Sequence, residues 1–315
     1  MWQRQAKFNL RTGSRQPGVF VPSAFRAGLA VILESNAVPT KLAMTANTTE
    51  RIASEVLAAL DARCQIAPLA ERHPGFDLAA AYAVTARVAE LRKARGEIPV
   101  GRKLGFTNRN IWAEYNVYAP IWSYMYDSTV RDVAPDGATF DLNSVVEPRI
   151  EPEITLSLKR APEPGMNEAA LLDCIDWVAH GFEVVQSLFP DWKFSAPDTV
   201  AAFGLHGALL LGPRHAITSV NKSDWLEMLA SLEVRLSRNG QHVDTGRAAN
   251  VLGGPLTALR NVVEVLARDP HNPQIAAGEV ITTGTITRAF PISRGETWQT
   301  IFNGAPFEGL TVRIV

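Results

Sequence analysis

Residues 147–158 read EPRIEPEITLSL. On a strand, side chains two apart share a face. Ile150, Ile154, Leu156 and Leu158 then line one face, and Glu151, Glu153, Thr155 and Ser157 the other. Elsewhere the apolar positions alternate between helical and extended spacing. Ile52, Val56, Leu57 and Leu60 predict a helix from near Thr48. Asp77 is a helix N-cap, followed by a stripe of Leu78, Ala81, Tyr82, Val88 and Leu91 that Gly96 ends. IPVGRKLGF (98–106) reads as a strand. Asn167 is expected to cap a helix with Leu171, Cys174, Ile175 and Val178 inward, ending near His180-Gly181. FEVVQSLF then reads as β-rich, and ALLLG (208–212) as a buried strand. EVRLSRNGQHVD (233–244) is a hairpin, because Asn239-Gly240 suits a type I′ turn. Pro255 opens a helix with Leu256, Leu259, Val262, Val263 and Leu266 inward, and 278–292 returns to strand. Two leading helices followed by many strands with two inserted helices predict an α+β domain with a sandwich or barrel-like core.

Charge divides the chain. Residues 1–43 carry Arg4, Lys7, Arg11, Arg15, Arg26 and Lys41 against Glu34, so the remainder is net negative within an overall charge of −1. The leader is expected as a basic, disordered tail. An organelle transit peptide, or sequence upstream of a start at Met44, are the alternatives. The near-zero total gives no bias toward nucleic acid or anionic membrane. Apolar runs such as GLAVIL (28–33) are far short of a membrane span. Cys64 and Cys174 are too few for a disulfide framework, which suits a cytoplasmic protein.

The paired glutamates are the first candidate for chemistry. They can be spare charges at a solvated strand end, a general acid/base pair, or ligands for a hard cation such as Mg2+ or Mn2+. Glu183, among apolar residues in GFEVV, needs a partner if buried. A metal or an arginine would serve. Lys103 in GRKLGF can steady an enolate oxygen, or snorkel to the surface. Asp127 in MYDSTV is an acid/base candidate or an ordinary turn acceptor. His206 lies between glycines beside a buried strand, and His180 is expected only to end a helix. Trp112, Tyr115, Tyr118, Trp122, Tyr124 and Tyr126 form an aromatic cluster, read as core or subunit interface and also as a pocket wall. Serine-hydrolase, P-loop, dinucleotide and zinc templates are absent.

GRKLGFTN, PIWSYMYDS, PRIEPEI, WVAHGFEVVQSLFPDWKF and GEVITTGTIT resemble, in order and spacing, the 2-keto-4-pentenoate hydratase / 4-oxalocrotonate decarboxylase family of the fumarylacetoacetate hydrolase superfamily. The likeness covers roughly residues 48–315 and makes 44–315 one catalytic domain. It implies that superfamily's mixed β-sandwich or roll with N-terminal helices, and Mg2+ or Mn2+ held by Glu151, Glu153 and Glu183. It also implies an active-site Lys103, an acid at Asp127, and a turn at Thr283, Gly284 and Thr285 that binds the substrate's carboxylate end. Where the family often carries a serine after D-x-x-A (Asp198, Ala201), this chain has His206, a further catalytic candidate. The implied activity is addition of water to a 2-hydroxy-2,4-dienoate, giving a 4-hydroxy-2-oxo acid, in the catabolism of aromatic-derived compounds. A 4-oxalocrotonate-type decarboxylase, with Arg102, Arg109 or Lys193 for a second carboxylate, is an alternative. So are an acylpyruvate-type C–C hydrolase and a non-catalytic metabolite-binding partner subunit. A homo-oligomer is expected, as is association with a pathway enzyme.

Overall fold

The computed structural model describes residues 45–135 and 137–315; the basic leader expected over 1–43 lies outside them. The helices are α1 (Ala46–Ala62), α2 (Leu69–Arg72), α3 (Leu78–Ala94), α4 (Trp112–Tyr115), α5 (Glu168–Leu172), α6 (Ala196–Ala201), α7 (Lys222–Ser231) and α8 (Pro255–Leu266). The strands are β1 (Pro99–Gly105), β2 (Ile121–Tyr126), β3 (Val130–Asp132), β4 (Ala138–Phe140), β5 (Arg149–Leu158), β6 (Ile175–Val185), β7 (His206–Ala216), β8 (Glu233–Arg238), β9 (Gln241–Arg247), β10 (Val280–Thr285), β11 (Phe290–Pro291), β12 (Thr297–Asn303) and β13 (Thr311–Ile314).

The larger sheet runs β2-β1-β10-β5-β6-β7-β3, with β11 also on β5. The smaller runs β4-β13-β12-β8-β9. Both are mixed: β1 pairs parallel with β10, β3 with β7 and β4 with β13, while the other pairings are antiparallel. Ile150, Phe182, Val184 and Leu210 of the larger sheet pack with Leu236, Trp298, Val312 and Ile314 of the smaller one, the core of a sandwich. A second core joins Ile154, Leu156 and Val178 to α7 and α8 through Leu229, Leu259 and Val262. A third holds α1, α3 and α6 together. This is the expected α+β sandwich with N-terminal helices.

Local signals explain most boundaries. The Asp77 carboxylate accepts from Ala80 N and starts α3, and Asn167 does the same for α5 from Ala170 N. Asn239 and Gly240 both have positive φ in the β8–β9 turn, the left-handed pair a type I′ hairpin requires. One expectation is overturned. The helix from Asn167 stops at Leu172, and Ile175–Val185 is a strand paired along one side with β5 and along the other with β7. Leu171, Cys174, Ile175 and Val178 have helical spacing and are buried in the core shared with α7 and α8, but from Ile175 onward the chain pairs with strands on both sides, which outweighs local propensity. His180 accordingly sits mid-strand. Its Nδ1 meets Glu153 O at 3.0 Å and its Nε2 meets Thr300 Oγ1 at 2.9 Å. Burial pushes its pKa down to about 4. Helix α7, with Trp225 and Leu229 inward one turn apart, was not anticipated.

Candidate metal centre and active-site cavity

Strand β5 is buried on both faces, so its acids do not meet bulk solvent. In the antiparallel register Glu151 stands opposite Glu183 of β6, and Glu153 opposite Gly181. Carboxylate oxygens of Glu151, Glu153 and Glu183 lie within 4.8 Å of one another. Glu153 and Glu183 are completely buried and Glu151 is 8% exposed. Strand β1 reaches this face alongside β10 and places Lys103 Nζ 3.3 Å from Glu183 Oε2. The ammonium also donates to Gly204 O at 2.9 Å. Phe203, Gly204 and Leu205 all have positive φ, a tight turn that turns this carbonyl onto the lysine. A side chain at 204 would come within 3.0 Å of Lys103 Cδ, so the close approach needs glycine.

Three acids face one ammonium in a dry site, and their titration reflects it. Burial, with the Glu183 charge, lifts Glu151 to about 7 against the pull of Lys103. Burial and the two neighbouring carboxylates push Glu153 well above the carboxylate range. Burial works against ionised Glu183 too, but Lys103 and a hydrogen bond from His206 hold it at about 2. Burial opposes the charge on Lys103, yet the three glutamates keep its pKa above the ordinary value. Glu153 Oε1 has no hydrogen-bond partner, and Glu183 Oε2 has only the ion pair with Lys103. Buried carboxylate oxygens left unpaired are costly. Three hard oxygen donors with surplus negative charge fit a divalent cation of the Mg2+ or Mn2+ kind.

The remaining candidates separate. Of Thr283, Gly284 and Thr285, Thr285 alone lines the cavity, while its hydroxyl donates to Thr287 O. Thr283 donates to Ile154 O. Gly284 sits in a bulge where β10 shifts register against β5, with φ +94°. Its N–H donates to Glu153 Oε2 at 2.8 Å, so it orients a candidate ligand. A Cβ there would lie 1.8 Å from Thr107 Oγ1. His206 is no free proton shuttle. Its Nδ1 is 2.6 Å from Glu183 Oε1, its Nε2 is 2.9 Å from Thr129 Oγ1, and it does not line the cavity. It braces Glu183, and burial holds its pKa down although Glu183 favours the charged form. Asp127 is exposed and accepts from Ile98 N and Ser128 N, which makes it the turn acceptor and not an acid at the cluster. It lies beyond the Tyr126–Pro99 pair, whereas Lys103 is paired with Ser123.

The cavity has a polar end of Lys103, Glu151 and Thr285, apolar sides from Phe106, Ile111, Val185 and Leu205, and a wall of Tyr115 and Trp192. Among the described residues, Lys103 is the one cation lining it. Arg102 points to the other side of β1, stacked 4.1 Å from the Tyr124 ring centroid. Arg109 stacks on Trp112, and exposed Lys193 pairs with Asp191. The aromatic cluster divides likewise: Trp122, Tyr124 and Tyr126 are core, and Tyr115 is cavity wall. Sequence reasoning missed Trp192 and Arg149. For Arg149 the signal was present, since it shares the strand face of Glu151 two residues later.

A family model described as "Fumarylacetoacetate (FAA) hydrolase C-terminal" matches residues 110–304. The chain is 31% identical over 242 residues to 2-hydroxyhexa-2,4-dienoate hydratase of Comamonas testosteroni, covering 76% of this chain and 88% of that protein. It is 33% identical over 227 residues to 4-oxalocrotonate decarboxylase of Pseudomonas sp. (strain CF600), covering 71% and 81%. The structure of 4-oxalocrotonate decarboxylase from Pseudomonas putida G7, complexed with magnesium and adipate, superposes with a TM-score of 0.77 at 28% identity, over 87% of this chain and 99% of that one. Sequence likeness over most of the domain, a shared fold and the buried acidic trio lead to one assignment: the chain belongs to the 2-keto-4-pentenoate hydratase / 4-oxalocrotonate decarboxylase family of the fumarylacetoacetate hydrolase superfamily.

Proposed function

We propose that the protein is a metal-dependent hydro-lyase that adds water to a 2-hydroxy-2,4-dienoate and yields a 4-hydroxy-2-oxo acid. The observation that carries this reading is the cavity itself: Lys103 and Glu151 at one end, Glu151 clustered with buried Glu153 and Glu183, and along the apolar rest no second cation among the described lining residues. Glu151, Glu153 and Glu183 would hold Mg2+ or Mn2+. A cation there supplies Lewis-acid charge for the oxo and carboxylate oxygens of a 2-oxo acid. Lys103 carries its proton at neutral pH and stands where negative charge develops on the enolate oxygen, a preorganised donor that needs no reorientation during reaction. Gly204 O and Glu183 fix the ammonium. Gly284 N–H fixes Glu153, and His206 fixes Glu183. Phe106, Ile111, Val185 and Leu205 exclude water from the substrate's unsaturated carbons except where the reaction admits one.

Similarity to 4-oxalocrotonate decarboxylases supports a second reading, loss of CO2 from a 2-oxo dicarboxylate. Such a substrate presents a second charge to a cavity whose tail end is lined by rings, with Arg149 engaged behind Tyr115 and Trp192 and no cation among the described lining residues there, which favours the hydratase. The deciding experiment is steady-state turnover of a 2-hydroxy-2,4-dienoate with Mg2+ or Mn2+, with and without chelator. Loss of the diene absorbance without CO2 is expected. CO2 release from a 2-oxo dicarboxylate would establish the decarboxylase instead, and cleavage of an acylpyruvate the hydrolase. Failure on all three with metal still bound would leave a binding protein. Glu151→Gln should abolish metal-dependent turnover in a folded protein, and retained turnover would refute its role as ligand.

A further inference from the structure

The space left inside the cavity is about 20 Å³, room for a single water. A short tail has to part the walls slightly, and a tail much longer than that of a five-carbon 2-oxo acid does not fit unless a wall is displaced. The sides formed by Phe106, Ile111, Val185 and Leu205 belong to the N-terminal core and cannot yield cheaply. Tyr115 and Trp192 belong to the same core but also line an outer groove of about 490 Å³. They are the part of the wall with open space behind it.

Arg149 holds this pair. Its guanidinium lies 4.2 Å from the Trp192 ring centroid and 5.5 Å from that of Tyr115, and its Nη1 donates to the Tyr115 hydroxyl at 2.5 Å. Its nearest carboxylate, Glu114, is 3.9 Å away and is engaged more closely by Arg288 at 3.1 Å. Its Nε is buried without an acceptor. An arginine so poorly supplied with carboxylates is spent on two rings. Trp192 is under constraint too. Its backbone is left-handed, at φ +57°, a conformation a bulky side chain rarely adopts, and its indole N–H is tied to Glu147 O at 2.9 Å.

We infer that Arg149 is a positioning residue that sets substrate length: by holding Tyr115 and Trp192 as the end wall, it restricts the cavity to 2-oxo acids with short tails. This rests on the reading that the cavity takes a 2-oxo acid. Because Arg149, Glu151 and Glu153 share one face of β5, the head-group site and the tail stop are built on a single rigid element. A longer tail must displace the rings into the outer groove and break the guanidinium contacts.

Calorimetric titration of the Mg2+-loaded full chain with straight-chain 2-oxo acids, from 2-oxobutanoate to 2-oxooctanoate, tests this. In the wild type, affinity should rise about fourfold for each methylene buried, then stop rising where the tail meets the wall. Arg149→Met keeps the aliphatic stem but loses the guanidinium. Tyr115→Phe keeps the ring but loses the bond to Arg149, and it serves even if the first variant melts early. Each should raise the ratio of 2-oxooctanoate to 2-oxopentanoate affinity at least tenfold. An unchanged ratio in a variant that melts like the wild type overturns the inference, as does a wild type that shows no length limit or binds no 2-oxo acid. A length limit relieved by both variants, in a protein that turns over no dienoate, would sustain the wall and refute the reaction.

Discussion

Removing the divalent cation should destabilise the protein far more at pH 8 than at pH 5.5. The ordinary value for Glu151 is 4.5, and in the cation-free fold burial lifts it to about 7. Between those values the folded state keeps a proton that the unfolded state has lost. Cation-free stability therefore falls as pH rises through that window. Glu153, raised further by burial and two neighbouring carboxylates, extends the fall to higher pH. Glu183 works in the opposite direction but elsewhere: held at about 2, its stabilising contribution is complete above 4.5 and does not offset the loss. The Glu151 shift alone corresponds to about 3 kcal/mol, or about 6 °C in melting temperature for a domain of this size. A bound cation takes the place of those protons and favours the ionised trio. Melting curves of chelator-treated protein from pH 5 to 8.5, repeated in saturating Mg2+, measure this directly. The gap between the two curves should widen with pH. Glu153→Gln should raise the cation-free melting temperature at pH 8, because a neutral amide replaces a buried carboxyl that must hold a proton the unfolded chain has lost, and should abolish the Mg2+ response. An equal Mg2+ gain at pH 5.5 and pH 8 would refute the electrostatic account of the site.

Lys103→Met should lower kcat by about 10²–10³-fold, the usual loss for a preorganised oxyanion donor; a change confined to KM in steady-state kinetics would mean that the lysine only binds substrate. His206→Ala leaves a buried Glu183 oxygen without its donor and should cost about 1–3 kcal/mol in thermal unfolding, with weaker Mg2+ binding by calorimetry. His206→Asn, which can keep a donor near the Nδ1 position, should recover most of both, and equal loss in the two variants would show that only ring packing matters. Gly284→Ala must place a methyl against Thr107 Oγ1 in a left-handed backbone. It should lower the melting temperature and, by displacing the N–H from Glu153, weaken Mg2+ binding as well; an unchanged Mg2+ affinity would deny the glycine its orienting role.

What could be read from the chain alone depended on the range of the interaction. Caps at Asp77 and Asn167 and the Asn239-Gly240 turn act within a few residues, and they appear where expected. The alternation in IEPEITLSL put two acids on one strand face without further help. Pairing with Glu183, and the bracing by His206, depend on the register of three strands, which no local pattern states. The same limit produced the error at 175–180, where buried residues fit a helix as well as a strand flanked on both sides. Asp127 shows the converse. Ser128 next door satisfies it locally, and the turn reading stands although Ile98, just ahead of β1, adds a second donor. The cavity wall combines Tyr115 with Trp192, far apart in sequence, and was legible only as an aromatic surplus around the first of them.

Register also explains why this site tolerates so much buried charge. Every side chain on β5 would change faces if the strand slipped by one residue. Glu151 and Glu153 would then enter the apolar face, and Ile150, Ile154 and Leu156 would lose their core. The charged face is thus locked by the apolar one, with β6 on one side and β10 on the other. The bulge at Gly284 adds a second lock, because its extra residue brings Thr285, and not its neighbour, opposite Glu153 and aims a backbone N–H at that carboxylate. Repulsion among the three acids is opposed by packing distributed over the whole sandwich, not by local salt bridges alone. A core change remote from the cavity, such as Phe182→Ala between the sheets, should therefore weaken Mg2+ binding in proportion to its loss of stability only if it loosens the β5–β6 register. Hydrogen exchange across that pair would distinguish the cases: weakened binding with the β5–β6 amides still protected would refute control of the site by register.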